Sequence, residues 1–308
     1  MTKALEIVGK DNSNNALEWT KEVLRVRFEE VLALRDNALN SQDIEGVHEL
    51  RVASRRLRSA LRDFSPLMKS KLLKECRKEL KQIADKLGQA RDDDVVIAAL
   101  EKLRNRAKSE NVRNDIEKKI EKLRTQRTKM QNQLVKILAD SSLESLGKKF
   151  AKAIDQATEK NDKFSKLTAK EAGQKVISNG LQEFCNLSES LYNPFNQTKL
   201  HELRISAKRL RYAIELFTTC WGERIQPFAK EISNMQTYLG ELHDSDIWIE
   251  NLSQRLSKKP DKKENADFWL LSKFTKKRTQ NYRAALRLWS KWQRNNFLKR
   301  LQDVLQKD

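Results

Sequence analysis

Glycine and proline are scarce in this chain of 308 residues, with 8 and 4 copies. Sheet proteins of this size spend both in tight turns, so the shortage excludes most β architectures. Cysteine is rarer still. Cys76, Cys185 and Cys220 are an odd number without CxxC spacing, which predicts free thiols in a reducing compartment and neither a disulfide frame nor a zinc site. Long apolar runs are also missing. The longest, Val95–Leu100, falls far short of the roughly 20 residues that span a bilayer, and Met1–Gly9 lacks the apolar core of a signal peptide. The expectation is a cytoplasmic protein with no membrane insertion.

What is abundant is helix-forming sequence and positive charge. Leu, Lys, Glu, Arg, Gln and Ala dominate, all good helix formers, so the fold class is predicted all-α. Lysine and arginine number 62 against 43 acidic residues, a formal charge of +19. Charge that far from neutrality implies an anionic partner, such as a nucleic acid, an anionic lipid or a polyphosphate-like chain.

Helical periodicity predicts helices near 16–38, 42–64, 67–88, 91–108, 112–139 and 143–157. After a polar stretch at 159–166, helices resume near 169–191, 197–219, 224–239, 243–257 and 264–292, with a last one from about 295. Ser65-Pro66, Asn193-Pro194 and Lys259-Pro260-Asp261 punctuate them. Two blocks then recur in order. Val47-His48-Glu49-Leu50-Arg51 through Arg55-Arg56-Leu57-Arg58 returns as Leu200-His201-Glu202-Leu203-Arg204 through Lys208-Arg209-Leu210-Arg211. Leu87-Gly88-Gln89-Ala90-Arg91-Asp92-Asp93-Asp94 returns as Leu239-Gly240-Glu241-Leu242-His243-Asp244-Ser245-Asp246. Such ordered repetition marks a tandem duplication. It predicts one helical repeat over 15–158, a linker over 159–168 and a second repeat over 169–308.

On a helical wheel, His48, Arg51, Arg55, Arg58 and Arg62 share one stripe, opposite Leu50, Ala53, Leu57, Leu61 and Phe64. His201, Arg204, Lys208 and Arg211 repeat it, opposite Leu203, Leu210, Ile214 and Phe217, with Glu215 where the first copy has Arg62. Lys71, Lys74, Lys78 and Lys81 add a second stripe. Its counterparts are Glu223, Gln226, Lys230 and Ser233, so the N-terminal half is the richer. A solvated basic face ordinarily mixes Glu with Lys; stacked like charges cost helix stability. Arginine also grips phosphate oxygens with a two-pronged fork. Both points favour anion binding.

An anion beside His48 and His201 would raise their pKa, which predicts tighter binding at mildly acidic pH. His243, next to Asp244 and Asp246, is expected to pair with acidic neighbours. Asp92-Asp93-Asp94 lacks a metal-loop pattern and is read as a helix start complementing the dipole, so no metal site is expected.

With these motifs the chain resembles the CHAD domain family, the conserved-histidine α-helical domain. The resemblance rests on His48-x-x-Arg51, His201-x-x-Arg204, their following basic residues and the two Leu-Gly blocks, over nearly the whole chain. It implies two four-helix bundles related by a pseudo-twofold axis, with basic helices facing a central groove or pore. It also implies binding of inorganic polyphosphate and targeting to polyphosphate granules. Carried over by position, the ligand-facing candidates are His48, Arg51, Arg55, Arg58, His201, Arg204, Lys208 and Arg211. Wheel geometry adds Arg62, Lys74, Lys78, Lys81 and Lys230. Some members add a triphosphate-hydrolysing tunnel domain that begins with an ExExK strand; nothing before Asn15 offers one.

Three functions follow as expectations. The first is a non-enzymatic polyphosphate-binding module without a cofactor. The second, an RNA- or DNA-binding protein, meets the objection that single-strand readers interleave aromatics with their cations; Trp289 and Trp292 look like core residues instead. The third is a phosphoryl-transfer enzyme, for which no GxxxxGK(S/T), HExxH or Gly-rich phosphate loop is found; a phosphohistidine at His48 or His201 is the opening left to it.

Overall fold

In a computed structural model, residues 15–40, 44–65, 68–159, 167–258 and 266–306 are described. The expected turns at Pro66 and Lys259-Pro260-Asp261, most of the expected linker, and Met1–Gly9 lie outside them. The chain divides into two compact units, Met1–Ala172 and Gly173–Asp308.

The N-terminal unit holds α1 (Ala16–Ala33), α2 (Arg35–Leu39), α3 (Ile44–Asp63), α4 (Lys71–Arg104), α5 (Glu110–Ile137) and α6 (Asp140–Asp155). Asn15 caps α1, its Oδ1 accepting from the Leu17 amide at 2.7 Å, and Ser70 caps α4 through the Leu73 amide at 3.1 Å. Both caps satisfy amides that have no partner within the helix. α3 packs against α1, α2 and α4, while α4 also packs on α5 and α6. Leu50, Ala53 and Leu57 of α3, and Phe64 just after its end, are completely buried, as the wheel required. Trp19 meets Phe64 edge-on at 5.7 Å, and Phe28 stacks on Phe150 at 4.4 Å. Two short strands, β1 (Met68–Lys69) and β2 (Thr158–Glu159), pair antiparallel with Met68 opposite Glu159.

The C-terminal unit is built from α7 (Ala169–Leu187), whose first turn lies before the unit boundary, α8 (Gln197–Leu216), α9 (Thr218–Trp221), α10 (Gln226–Lys258), α11 (Ala266–Arg294) and α12 (Phe297–Gln306). α7 begins with a reciprocal cap: the Thr168 amide donates to Glu171 Oε2 at 2.8 Å and the Glu171 amide to Thr168 Oγ1 at 3.2 Å. α10 packs on both α8 and α11. Trp289 and Trp292 are buried, with Trp292 stacked on Phe297 at 4.3 Å.

The all-α expectation holds, but two boundaries move. The sequence pattern broke helices at Gly88 and Gly240, whereas α4 and α10 run through both as single long helices. Glycine in a helix interior costs only about 1 kcal/mol, and here it has a packing use described below. Asp92-Asp93-Asp94 therefore lies inside α4 and does not complement a helix start.

The same cross-helix pairs recur in each unit. Arg56 of α3 reaches Glu30 of α1 at 2.8 Å, as Arg209 of α8 reaches Glu183 of α7 at 2.5 Å. Arg127 of α5 binds Asp94 of α4 at 2.8 Å, as Arg278 of α11 binds Asp246 of α10 at 2.5 Å.

Candidate anion-binding faces

The two repeated motifs meet on neighbouring helices. A methyl group placed on Gly88 would lie 3.8 Å from Arg51 Nε, and one on Gly240 would lie 3.6 Å from Arg204 Nε. Each arginine thus lies across the bare backbone of the facing helix, in a notch that only a very small residue leaves open. The glycine of one motif seats the arginine of the other.

In the N-terminal unit, His48, Arg51, Arg55 and Arg58 are half-buried along α3. Their apolar stems are covered while the charged heads keep access to solvent. Residues of α4 complete the row. Burial pushes His48 below its ordinary pKa, and Arg91, Arg51 and Arg55 push the same way against Glu45. Burial likewise lowers Arg58, opposed by Asp85 and reinforced by Arg77 and Arg55. Five guanidiniums and one imidazole are therefore crowded together. The acidic neighbours are loosely held: Arg51 is 3.5 Å from Asp92, and Arg91 is 3.4 Å from Glu45. Both carboxylates are well exposed, so each pair contributes at most about 1 kcal/mol. Arg62 turns away from the row to Asp63, at 2.7 Å.

In the C-terminal unit, His201, Arg204 and Lys208 are half-buried on α8. His243 of α10 packs its ring on His201 with centroids 4.0 Å apart. Of the two acidic neighbours expected to pair with His243, Asp246 is held by Arg278 instead. Burial, then His201 and Arg204, lowers His243 to a pKa of about 4. Burial, Arg204 and Lys208 lower His201 as well, against Glu202. Both shifts favour the neutral imidazole in the free protein. The Nδ1 atoms of His48 and His201 are buried without a hydrogen-bond partner among the described residues.

Arg211 departs from expectation. Its side chain is buried, pairs with Glu215 at 3.0 Å and lies over the Tyr212 ring at 4.5 Å. Replacing Arg62 of the first copy by Glu215 supplies the carboxylate that draws Arg211 inward. The basic row of the second unit accordingly ends at Lys208.

Lys74, Lys78 and Lys81 are exposed on α4, and Lys230 on α10. None of these four takes part in an ion pair among the described residues. Arg77 and Arg91 were overlooked from the sequence. Arg77 was legible there, because it sits at helical spacing between Lys74 and Lys81; Arg91 was hidden by the supposed break at Gly88. Cys76, Cys185 and Cys220 are free thiols, with burial raising Cys76 to a pKa of about 11. Among the described residues no helix is long and apolar enough to cross a membrane.

Comparison with known proteins places this geometry. The CHAD domain model matches residues 22–253. Two uncharacterized proteins of Mycobacterium tuberculosis are 25% and 24% identical over 228 residues, 73% of this chain. The matched region spans 43% of the length of each. Among solved structures, the CHAD domain from the plant Ricinus communis superposes with a TM-score of 0.64 at 18% identity, over 99% of this chain and 96% of that one. PptA from Streptomyces chartreusis gives 0.68 at 14% identity, over 90% and 100%.

Proposed function

Because this chain belongs to the CHAD domain family, we propose that it binds inorganic polyphosphate, without turning it over, along the basic faces of α3 and α8. One observation carries this reading. His48, Arg51, Arg55 and Arg58 form a single row above a completely buried apolar row, with Arg77 and Arg91 of α4 brought beside them. A linear polyphosphate offers dense, regular charge and no bases. Rigid helices that present fixed guanidiniums suit it, since little side-chain freedom is lost on binding. A cytoplasmic protein associated with polyphosphate granules is the setting this implies.

Nucleic acid is the alternative partner. Single-strand readers stack bases on aromatic rings, but Phe64, Tyr212 and Phe217, which follow the two rows in sequence, are all buried. A competition titration at physiological salt separates the two. Single-stranded RNA should fail to displace labelled polyphosphate at equal phosphate concentration; efficient displacement would reverse the ranking. In the same samples, phosphate release with Mg²⁺ should stay at background.

A further inference from the structure

A cavity of about 410 Å³ opens where α3 ends and α4 begins, lined by Leu61, Met68 and Leu73 below and by Lys69, Lys71, Lys74 and Arg77 above. We propose that this cavity is a subsite for a terminal phosphate group, so that the N-terminal unit grips a condensed phosphate chain by its end. The inference rests on the polyphosphate reading of α3 and adds to it a site and a direction.

The chemistry of the lining is one-sided. Among its described residues there are four cations and no carboxylate. None of the four cations makes an ion pair or hydrogen bond among the described residues. Lys71, Lys74 and Arg77 follow one another at i, i+3 spacing, where like charges destabilise a helix. Lys71 and Lys74 also stand in the first turn of α4, where cations oppose the helix dipole. An arrangement that costs stability in the free protein is relieved by an anion.

The hydroxyls of the lining are already committed. Ser65 Oγ donates to the Arg62 carbonyl at 2.7 Å, while Ser70 Oγ caps α4 and lies 3.3 Å from the Ala153 carbonyl. Charge is therefore what remains for a ligand. Leu61, Met68 and Leu73 are each less than a tenth exposed, and an apolar floor weakens screening and strengthens attraction at the rim.

Two features make the ligand a chain end. A terminal phosphate carries a second ionisable oxygen and approaches a charge of about −2 near neutrality, whereas an internal group carries one. Four clustered cations match the denser group. The cavity also adjoins the α3 row, because Leu61, one turn beyond Arg58 on α3, lines it together with Arg77, and Arg77 adds to the lowering of the Arg58 pKa. The track runs from the cavity through Arg77, Arg58, Arg55 and Arg51 to His48. The second unit offers no counterpart, since Glu223 and Gln226 align with Lys71 and Lys74.

The test uses long polyphosphate with free ends and the same chain with its ends blocked as phosphoramidates. Each is titrated into the wild-type chain and a Lys71→Ala, Lys74→Ala variant. Both lysines are exposed, and unchanged thermal unfolding would verify the fold. Wild type should bind the free-ended chain about tenfold more tightly, as the loss of one charge-assisted contact implies. The variant should bind both chains alike, and more weakly than wild type binds the blocked chain, because Lys74 also belongs to the α4 stripe. The ratio of the two affinities is therefore the readout. Equal affinity of wild type for both chains would overturn the end subsite while leaving the polyphosphate reading in place. Failure of wild type to bind either chain would instead remove that reading. Orthophosphate that abolished the preference as efficiently as tripolyphosphate would assign the cavity to free phosphate and overturn the chain-end assignment.

Discussion

At the scale of single residues, arginines of one repeated motif have opposite jobs. Arg51, Arg55 and Arg58 face outward, while Arg56 turns inward to Glu30, which also holds the buried Arg27 at 2.9 Å. Glu30 is 3% exposed, so Glu30→Ala would remove a buried carboxylate shared by two arginines and should cost about 3–5 kcal/mol. The equivalent Glu183→Ala breaks a pair whose side chains are both about two-fifths exposed and should cost no more than about 1 kcal/mol. Urea denaturation of the two variants checks the contrast. The histidines give a second residue-scale outcome. His48, His201 and His243 have lowered pKa values in the free protein, so the unfolded chain binds more protons. Their contribution to stability is present above about pH 6.5 and is lost as pH falls toward their folded values, about 4 for His243. A bound polyanion acts oppositely, favouring the imidazolium. Binding should therefore take up protons and tighten as pH drops from 8 to 6. Calorimetry in buffers of different ionisation enthalpy would read the uptake, and pH-independent affinity would contradict it. His243→Gln should reduce that dependence.

At the scale of elements, the glycine notches join the two motifs. Arg51 lies against Gly88 and Arg204 against Gly240, with atoms at ordinary van der Waals separation, so Gly→Ala should be tolerated. Gly88→Leu should displace the Arg51 guanidinium and weaken polyphosphate binding about tenfold while circular dichroism keeps its helical signal. Unchanged affinity in that variant would show that the notch does not position the arginine. The helices themselves were legible in the sequence, because apolar residues such as Leu50, Leu57 and Phe64 recur at helical spacing and are all buried. Gly88 and Gly240 were misread because a glycine that ends a helix and one that admits a neighbour look the same in one dimension. Arg211 was misplaced for a related reason. The wheel gives the direction of a side chain, but Glu215 one turn later decides where its charge goes. The pairing of His243 with His201 needed the packing of α8 on α10, which no local pattern encodes.

At the scale of the whole molecule, a charge of +19 is organised and not merely abundant. The N-terminal unit adds Arg77, Arg91 and the α4 lysines to its row, whereas the second row ends at Lys208 and has the His201–His243 ring pair beside it. Binding strength should follow that imbalance. The most direct measurement is the salt dependence of polyphosphate affinity for the wild type, for an Arg51→Ala, Arg55→Ala, Arg58→Ala variant and for an Arg204→Ala, Lys208→Ala variant. Each cation that contacts the chain contributes about one to the slope of log K against log salt concentration. The triple variant should lose about three from that slope and at least tenfold in affinity, more than the double variant loses. A triple variant with wild-type slope and affinity would contradict the account, because the repeated histidine-led helix would then not be where the anion binds.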